Sequence, residues 1–211
     1  GFGSSETGAQ GSTVSMKGME GTQGSFKMDE HTCVLDADMT RRLESGEEAM
    51  GWLARAGRVP LGYLGDEAKT KKTYPVVAGT RYSVPGDRAQ VAADGQIRVF
   101  GRDSVCINSG GEKIFAEEVE QALKHHPAVY DVIVTGTPNA RWGEQVTALV
   151  KLRPGAKPSD DELREAAATQ IARYKLPKAF VFVDGLVRAP SGKPDYRWAK
   201  DTAAKALQQQ A

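Results

Sequence analysis

The chain has 211 residues, of which 40% are hydrophobic and 26% are charged, and its formal net charge is +1 at pH 7. This length suffices for one large or two small domains, each with a buried core. The net charge gives no reason to expect bulk nucleic-acid binding, which requires a clustered basic face, and no apolar run has the length of a membrane span. Cys33 and Cys106 lie far apart, which argues against a disulfide framework and favours a reducing compartment, the cytoplasm.

The first hundred residues have the pattern of a β-rich region. Residues 1–24 are rich in Gly, Ser and Thr, and we expect irregular loop there with at most a short strand. Residues 44–48 are interpreted as a solvated turn and residues 69–72 as a solvated basic segment. Three segments broken by glycines then predict short strands: SFKM, TCVLDAD and GWLARAGRVPLGYLG.

The clearest local signal is the segment RAQVAADGQIRVFGR. Asp94-Gly95 is a dipeptide typical of a tight hairpin, and apolar and polar residues alternate on the strand that follows it. This strand ends near Arg102. We place a domain boundary there, which divides the chain into residues 1–102 and residues 103–211.

The second part predicts a compact domain of helices and strands. Apolar residues at helical spacing over residues 115–123 predict a helix that Pro127 stops. VYDVIVTG, QVTALVKL and AFVFVD predict three strands. Ser159 stands three residues before Glu162, the signature of a capping box at a helix start, and a last helix follows Pro194. The predicted fold is therefore α+β, a β-rich region followed by a small domain with a three-stranded sheet and helices.

Two segments of the first part have residue types that suit a nucleotide. In SSETG, hydroxyls and the Glu6 carboxylate lie on a glycine-rich loop, which suits a hydrated Mg²⁺ or the oxygens of a phosphate. The alternative is a disordered terminus without a ligand, which has the same composition. In PGDRA, Asp87 follows a rigid turn and can accept both hydroxyls of a ribose. A turn aspartate that bonds its own backbone is the commoner case.

Two segments of the second part have residue types that suit an anion. In GRDSVCINSGGEKI, Gly110 and Gly111 are expected to precede a helix and to expose N–H groups, with Lys113 adding charge. A simple loop-to-helix connection fits these residues as well. In APSGKPDYR, Lys193 follows a Pro-Ser-Gly turn, where it is either a solvated turn residue or a cation for a phosphate or carboxylate.

The order and spacing of these segments resemble the adenylate-forming (AMP-binding) superfamily, and within it the acyl-CoA synthetases, or fatty-acid–CoA ligases. The resemblance covers essentially the whole chain. It rests on six motifs in order: GFGSSETG, PGDRA with its hairpin, GRDSVCINSGGEKIFAEEVE, RWGEQVTALV, RYKLPK and APSGKPDYR. AEEVE and SGGEK are most similar to ligases for medium- or long-chain fatty acids and steroid side chains.

The resemblance implies a two-step reaction that uses ATP, Mg²⁺ and CoA. A carboxylic acid attacks the α-phosphate of ATP to give acyl-AMP and pyrophosphate, and the CoA thiol then displaces AMP. Because the first step brings a carboxylate against a polyanion, cations placed where charge develops are the expected device. By motif match, Lys193 is the catalytic lysine that bridges the carboxylate and the α-phosphate.

The resemblance also implies the residues that bind the nucleotide. Glu6 matches the glutamate that holds Mg²⁺–ATP, and Ser5 takes the place usually held by a threonine beside the α-phosphate. Asp87 and Arg102 match the residues that reach the ribose. PGD stands where relatives often have TGD, and we expect little consequence because Asp87 is retained.

A further set of residues is implied in the thiol-transfer step and in domain rotation. These residues face the transfer site or CoA after the rotation: Ser109, Gly110, Gly111 and Trp142. The hinge is expected at Asp103 and Ser104. Many relatives have Asp or Lys at the Ser104 position. A small residue such as Ser104 can act as a hinge. Because serine carries no charge, an ion pair at this position that holds one domain orientation is not expected.

The resemblance leaves several questions open. In this family the loop that grips the ATP phosphates and most of the acyl pocket precede SSETG. We therefore expect a C-terminal fragment that is catalytically incomplete by itself. The alternatives are another acyl-adenylating enzyme and a non-catalytic module that binds nucleotide or CoA. Neither the acid nor the oligomeric state follows from the sequence, and peripheral membrane contact stays open.

Overall fold

The computed structural model describes residues 2–11, 25–27 and 29–210. The chain divides into two compact units, Gly1–Asp103 and Ser104–Ala211. Each unit contains a five-stranded sheet, with one short α-helix described in the first unit and three in the second, so the α+β fold class is confirmed. Among the described residues, no helix combines the length and the apolar character that crossing a membrane requires.

Within its described residues, the first unit comprises nine strands and one short helix. These are β1 (Phe2–Ser4), β2 (Gly8–Gly11), β3 (Ser25–Lys27), β4 (Thr32–Leu35), β5 (Gly51–Arg55), α1 (Glu67–Thr73), β6 (Val76–Val77), β7 (Thr80–Arg81), β8 (Asp87–Val91) and β9 (Gln96–Arg102). The sheet has the antiparallel order β3-β9-β8-β5-β4, and β1-β2 and β6-β7 are separate hairpins. Val34, Leu53 and Ile97 are fully buried in the core of this sheet.

The predicted hairpin around Asp94-Gly95 is confirmed as β8-β9. The Gly95 N–H donates to the Ala92 carbonyl oxygen over 2.9 Å, and its φ of 77° is a conformation that glycine adopts without strain. The three lysines of the segment 69–72 are solvent-exposed, as the sequence suggests, but the segment is helical. Asp66 caps this helix by accepting a 2.9 Å hydrogen bond from the Lys69 N–H. Met28 of the SFKM prediction lies outside the described residues.

The second unit is a five-stranded sheet with helices on both faces. Its elements are β10 (Cys106–Ser109), β11 (Glu112–Phe115), α2 (Ala116–Lys124), β12 (Val129–Asn139), β13 (Gly143–Leu152), α3 (Asp160–Ala168), β14 (Ala179–Phe182) and α4 (Tyr196–Gln210). The strand order is β11-β10-β13-β12, and β14 runs parallel to β13. The predicted capping box is present at the start of α3, where Ser159 and Glu162 bond each other's backbone N–H groups.

The three-stranded sheet predicted for this unit is too small by two strands. β10 and β11 form a hairpin in the segment predicted to be a loop leading into a helix. Ile107 and Ile114 face each other across this hairpin and are buried. Gly110 and Gly111 have φ values of 62° and 89°, as the two central residues of a primed hairpin turn require. The helix begins later, at Ala116.

Alternation along β12 builds two hydrophobic layers. Val132 and Val134 pack with residues of α2 and α3 on one face of the sheet. Ile133 packs with Ala199 and Ala203 of α4 on the opposite face. Because neighbouring strand residues point to opposite faces, one apolar strand serves both layers.

β12 lies at an edge of its sheet, and a buried carboxylate satisfies one of its outward N–H groups. Glu120 on α2 is 5% exposed, and its Oε1 accepts a 2.9 Å hydrogen bond from the Val134 N–H. Burial raises the pKa of Glu120 to about 7. The Val134 bond and the positive charges of Lys124 and Arg188 oppose this shift, and the charge of Glu117 adds to it.

We expect the Glu120 carboxyl to titrate near pH 7 in the folded chain. Its pKa in the folded chain lies above the ordinary value of 4.5. Between pH 4.5 and pH 7 the folded state therefore binds more protons than the unfolded state. The free energy of unfolding therefore falls as the pH rises from 4.5 to 7, by on the order of 3 kcal/mol. Carboxyl ¹³C NMR titration measures this, with Glu120→Gln to assign the signal. A midpoint near 4.5 would contradict the burial of Glu120.

Candidate functional site

Ser5 and Glu6 lie in the turn that joins β1 and β2. Glu6 Oε1 accepts a 2.7 Å hydrogen bond from the Tyr63 hydroxyl, and Oε2 accepts one of 2.9 Å from the Ser5 hydroxyl. The Glu6 carbonyl oxygen accepts a further bond, also 2.9 Å long, from Ser83 Oγ. Both the backbone and the side chain of Glu6 are therefore fixed by neighbours.

The Glu6 carboxylate is ionised at neutral pH. Burial acts to raise its pKa, but hydrogen bonds from Tyr63, Ser5 and the local backbone lower it to about 2. Burial and the bond to Glu6 raise the pKa of Tyr63 to about 12, so its hydroxyl stays a donor. Sequence reasoning missed Tyr63, since a tyrosine in a glycine-rich loop carries no specific signal.

An ionised carboxylate of this kind fits the requirements of Mg²⁺. Magnesium in nucleotide sites is held by one or two carboxylates together with phosphate oxygens and waters. Among the described residues, no group of three His, Cys, Asp or Glu side chains could hold a metal ion by itself. Glu6 would thus supply one protein ligand, and the nucleotide would have to supply others.

Asp87 and Arg102 lie opposite each other at the ends of β8 and β9. Arg102 Nε lies 3.5 Å from Asp87 Oδ1, and the side chains are 44% and 7% exposed, respectively. Gly86, directly before Asp87, has a φ of 104°, which favours glycine there. The structure therefore places a buried carboxylate beside a cation that reaches solvent.

The end of the first unit is held by Arg88, which no sequence pattern predicted as a site residue. Arg88 Nε donates a 2.8 Å hydrogen bond to Asp103 Oδ1, and its guanidinium carbon lies 3.5 Å from the centre of the Trp52 ring. The Asp103 N–H donates to the Gly86 carbonyl oxygen over 3.0 Å. The chain passes into the second unit at the next residue, Ser104.

In the second unit, the β10–β11 turn packs against the loop before β13. The Gly110 N–H donates a 2.9 Å hydrogen bond to the Trp142 carbonyl oxygen. A Cβ atom at Gly110 would lie 2.7 Å from the Trp142 ring, so the close approach requires glycine. Ser109 pairs with Gly143 at the same place. The prediction that Gly110 and Gly111 expose N–H groups before a helix is wrong, because these residues form a hairpin turn.

Lys193 lies at the end of a tight turn that precedes α4. The Gly192 N–H donates to the Ala189 carbonyl oxygen over 2.8 Å, and Gly192 has a φ of 80°. The Ala189 N–H in turn donates to the Lys193 carbonyl oxygen over 2.9 Å. This is the arrangement of a type I turn followed by a left-handed glycine, with Pro190 at the position where its fixed φ is favoured.

The Lys193 side chain is exposed. In the part of the chain that the structure describes, no carboxylate forms an ion pair with its ammonium group. The turn thus holds the Lys193 backbone in place and leaves the charged group in solvent. An exposed ammonium fits both possibilities that the sequence leaves open, a solvated turn residue and a cation for a phosphate or carboxylate.

Comparison with known proteins identifies the family. Residues 118–193 match the model of the AMP-binding enzyme C-terminal domain. ATP-bound MatB from Rhodopseudomonas palustris superposes with a TM-score of 0.71 at 26% identity, over 85% of this chain and 35% of that one. The o-succinylbenzoate CoA synthetase MenE of Bacillus subtilis, in complex with its acyl-adenylate intermediate, gives a TM-score of 0.73 at 28% identity, over 85% and 36%.

Curated relatives are similar over nearly the whole chain. The medium-chain acyl-CoA ligase Mig of Mycobacterium avium is 57% identical over 203 residues, which are 96% of this chain and 37% of that protein. A 3-oxocholest-4-en-26-oate–CoA ligase of Rhodococcus rhodochrous is 54% identical over 95% of this chain and 36% of that protein. The chain therefore belongs to the adenylate-forming (AMP-binding) superfamily, as the six motifs indicated. It spans a little over a third of the length of these relatives.

Proposed function

We propose that the protein containing this chain is an ATP-dependent acyl-CoA ligase that forms an acyl-adenylate and then transfers the acyl group to CoA. The observation that carries the proposal is the exposed Lys193, presented by a structured turn within a chain that is 57% identical to an acyl-CoA ligase. The similarity to medium-chain and 3-oxocholest-4-en-26-oate ligases favours a fatty acid or a steroid side-chain acid. Two cysteines far apart in the sequence suit a reducing compartment, so we propose the cytoplasm as the location.

The first unit supplies groups for the nucleotide in this proposal. Asp87 accepts the ribose hydroxyls and Arg102, its cross-strand neighbour 3.5 Å away, donates to the same sugar. Ser5 lies beside the α-phosphate. Glu6, ionised and fixed by Tyr63, holds Mg²⁺, which when bound neutralises phosphate charge.

The second unit supplies groups for the two chemical steps. Lys193 places its ammonium between the acid carboxylate and the α-phosphate, which reduces the repulsion as the two anions approach. The residues proposed to face the thiol-transfer step or CoA are Ser109, Gly110, Gly111 and Trp142. Because Gly110 contacts the Trp142 backbone, two of these residues act as one rigid surface.

The sequence places the domain boundary between residues 102 and 103, and we move it by one residue: residues 1–103 are assigned to the last part of the large AMP-binding domain and residues 104–211 to the small mobile domain. The Asp103 backbone and side chain are tied to the first unit, so rotation begins at Ser104 in this proposal. A chain that spans a little over a third of its relatives lacks parts that those relatives have. We therefore expect the 211-residue chain by itself to be inactive.

The test uses the full-length protein with ATP, Mg²⁺, CoA and a panel of medium-chain, long-chain and steroid side-chain acids. We expect acid-dependent formation of acyl-CoA, AMP and pyrophosphate, detected by mass spectrometry. Accumulation of acyl-AMP without acyl-CoA would instead identify another acyl-adenylating enzyme. Nucleotide or CoA binding without turnover for any acid would identify a non-catalytic module and contradict the proposal.

A further inference from the structure

One arginine connects the Lys193 turn to the central sheet of the second unit. Arg188 Nε and Nη2 donate hydrogen bonds of 2.9 and 2.8 Å to the two carboxylate oxygens of Asp131 on β12. The remaining Nη1 donates a 3.0 Å bond to the carbonyl oxygen of Gly192. A single planar guanidinium therefore holds the residue that directly precedes Lys193.

Asp131 is itself held firmly. The Lys124 ammonium on α2 lies 3.2 Å from its Oδ1, and the Val132 N–H donates a 2.9 Å bond to the same oxygen. Burial acts to raise the pKa of Asp131, but the bonds from Arg188, Lys124 and Val132 lower it. The pair is charged at neutral pH, and its side chains are only 26% (Arg188) and 22% (Asp131) exposed. Two parallel bonds of this kind fix orientation as well as distance.

The other end of the turn is fixed in the same region. The Asp195 N–H donates to the Val187 carbonyl oxygen over 3.1 Å, and Asp195 Oδ1 caps α4 by accepting a 2.9 Å bond from the Trp198 N–H. Tyr196, the first residue of α4, packs into both hydrophobic layers. Burial and the nearby charge of Glu120 raise its pKa well above the ordinary value.

We propose that Arg188 and Asp131 are positioning residues for Lys193, setting where its ammonium stands in acyl-adenylate formation. This inference rests on the proposed function. The two parallel bonds to Asp131, the fork, hold the Arg188 guanidinium, and its Nη1 holds the Gly192 carbonyl. This carbonyl lies in the Gly192–Lys193 peptide plane, which sets the direction of the Lys193 Cα–Cβ bond. Losing the fork leaves the turn intact but lets that plane rotate. A displacement of about 1 Å in a reacting group can cost about 100-fold in rate.

The test compares both half-reactions in the full-length protein carrying Arg188→Gln, Arg188→Lys or Asp131→Asn. Acid-dependent ATP–pyrophosphate exchange reports acyl-adenylate formation, and acyl-AMP supplied with CoA reports thiol transfer. We expect exchange to fall by about 10- to 100-fold in all three variants, with thiol transfer within about twofold of the parent rate. Arg188→Lys retains the charge but not the fork, so it should not rescue exchange.

Arg164 is a matched control in the same unit. Its side chain is 27% exposed, and it bonds Asp161 at 2.8 Å and the carbonyl oxygen of Pro177 at 3.0 Å. It thus resembles Arg188 in exposure and bonding, and its partners among the described residues all lie outside the Lys193 turn. Arg164→Gln should leave both half-reactions within about twofold of the parent rates.

The outcomes separate this inference from the proposed function. Equal losses in both half-reactions for the Arg188 and Asp131 variants would show a merely structural role and overturn the inference. Normal exchange in those variants, with exchange lost in Lys193→Gln, would overturn the positioning role alone. Normal exchange in Lys193→Gln would overturn the role proposed for Lys193, and the positioning role with it.

Discussion

Replacing Lys193 by glutamine in the full-length protein is expected to slow acyl-adenylate formation by about 100- to 1,000-fold. Glutamine retains most of the length of the side chain but cannot place a positive charge between the carboxylate and the phosphate. The turn should survive, because the hydrogen bonds described for it come from backbone groups and from Arg188 rather than from the Lys193 side chain. Acid-dependent ATP–pyrophosphate exchange measures the loss.

Thiol transfer from supplied acyl-AMP should be nearly unchanged in the same variant, because the proposed role of Lys193 belongs to the first step. Lys157→Gln is the matched control. Lys157 is also exposed, follows a turn that contains a left-handed glycine, Gly155, and precedes a proline. Loss of exchange in both variants would show a general effect of surface charge rather than a specific role of Lys193.

Glu6→Gln is expected to lower acyl-adenylate formation by about 100-fold and to raise the Mg²⁺ concentration required. The substitution retains an oxygen that can accept the Tyr63 hydrogen bond, but it removes the negative charge. That charge is present throughout the neutral range, because hydrogen bonds outweigh burial and lower the pKa of Glu6 to about 2. Exchange measured at fixed ATP over a range of Mg²⁺ concentrations tests both parts of the prediction.

Glu47 provides the control for Glu6 in the same unit. Hydrogen bonds from Arg41 and the Glu44 backbone lower its pKa to about 2 as well, so it is an equally acidic carboxylate. Glu47→Gln should leave the Mg²⁺ requirement unchanged. An unchanged requirement in Glu6→Gln would argue that Glu6 does not hold the metal.

Local chemistry explains which parts of the fold could be predicted. The β8–β9 hairpin, the α3 capping box and the Pro-Ser-Gly turn before Lys193 each depend on neighbouring residues, so their signatures are visible in the sequence. The β10–β11 hairpin also has its turn residues, Gly110 and Gly111. These glycines do not distinguish a hairpin from a helix start, because two glycines before an apolar segment suit a helix start as well as a primed turn.

Long-range pairing explains what the sequence could not provide. Tyr63 contacts Glu6, and Arg188 contacts Asp131, in each case across 57 residues. Both contacts depend on how distant elements pack, which hydrophobic periodicity does not encode. The motifs predicted Glu6 and Lys193 as site residues. The side chains that orient them became visible only in the folded structure.

The transfer of isotope from the acid to the nucleotide tests the central claim most directly. The full-length protein is incubated with ATP, Mg²⁺, CoA and a carboxylic acid labelled with ¹⁸O in its carboxyl group. Attack of the carboxylate on the α-phosphate predicts one ¹⁸O atom in the AMP released with each acyl-CoA. Unlabelled AMP, or ADP and phosphate as products, would contradict an acyl-adenylate and the role proposed for this chain.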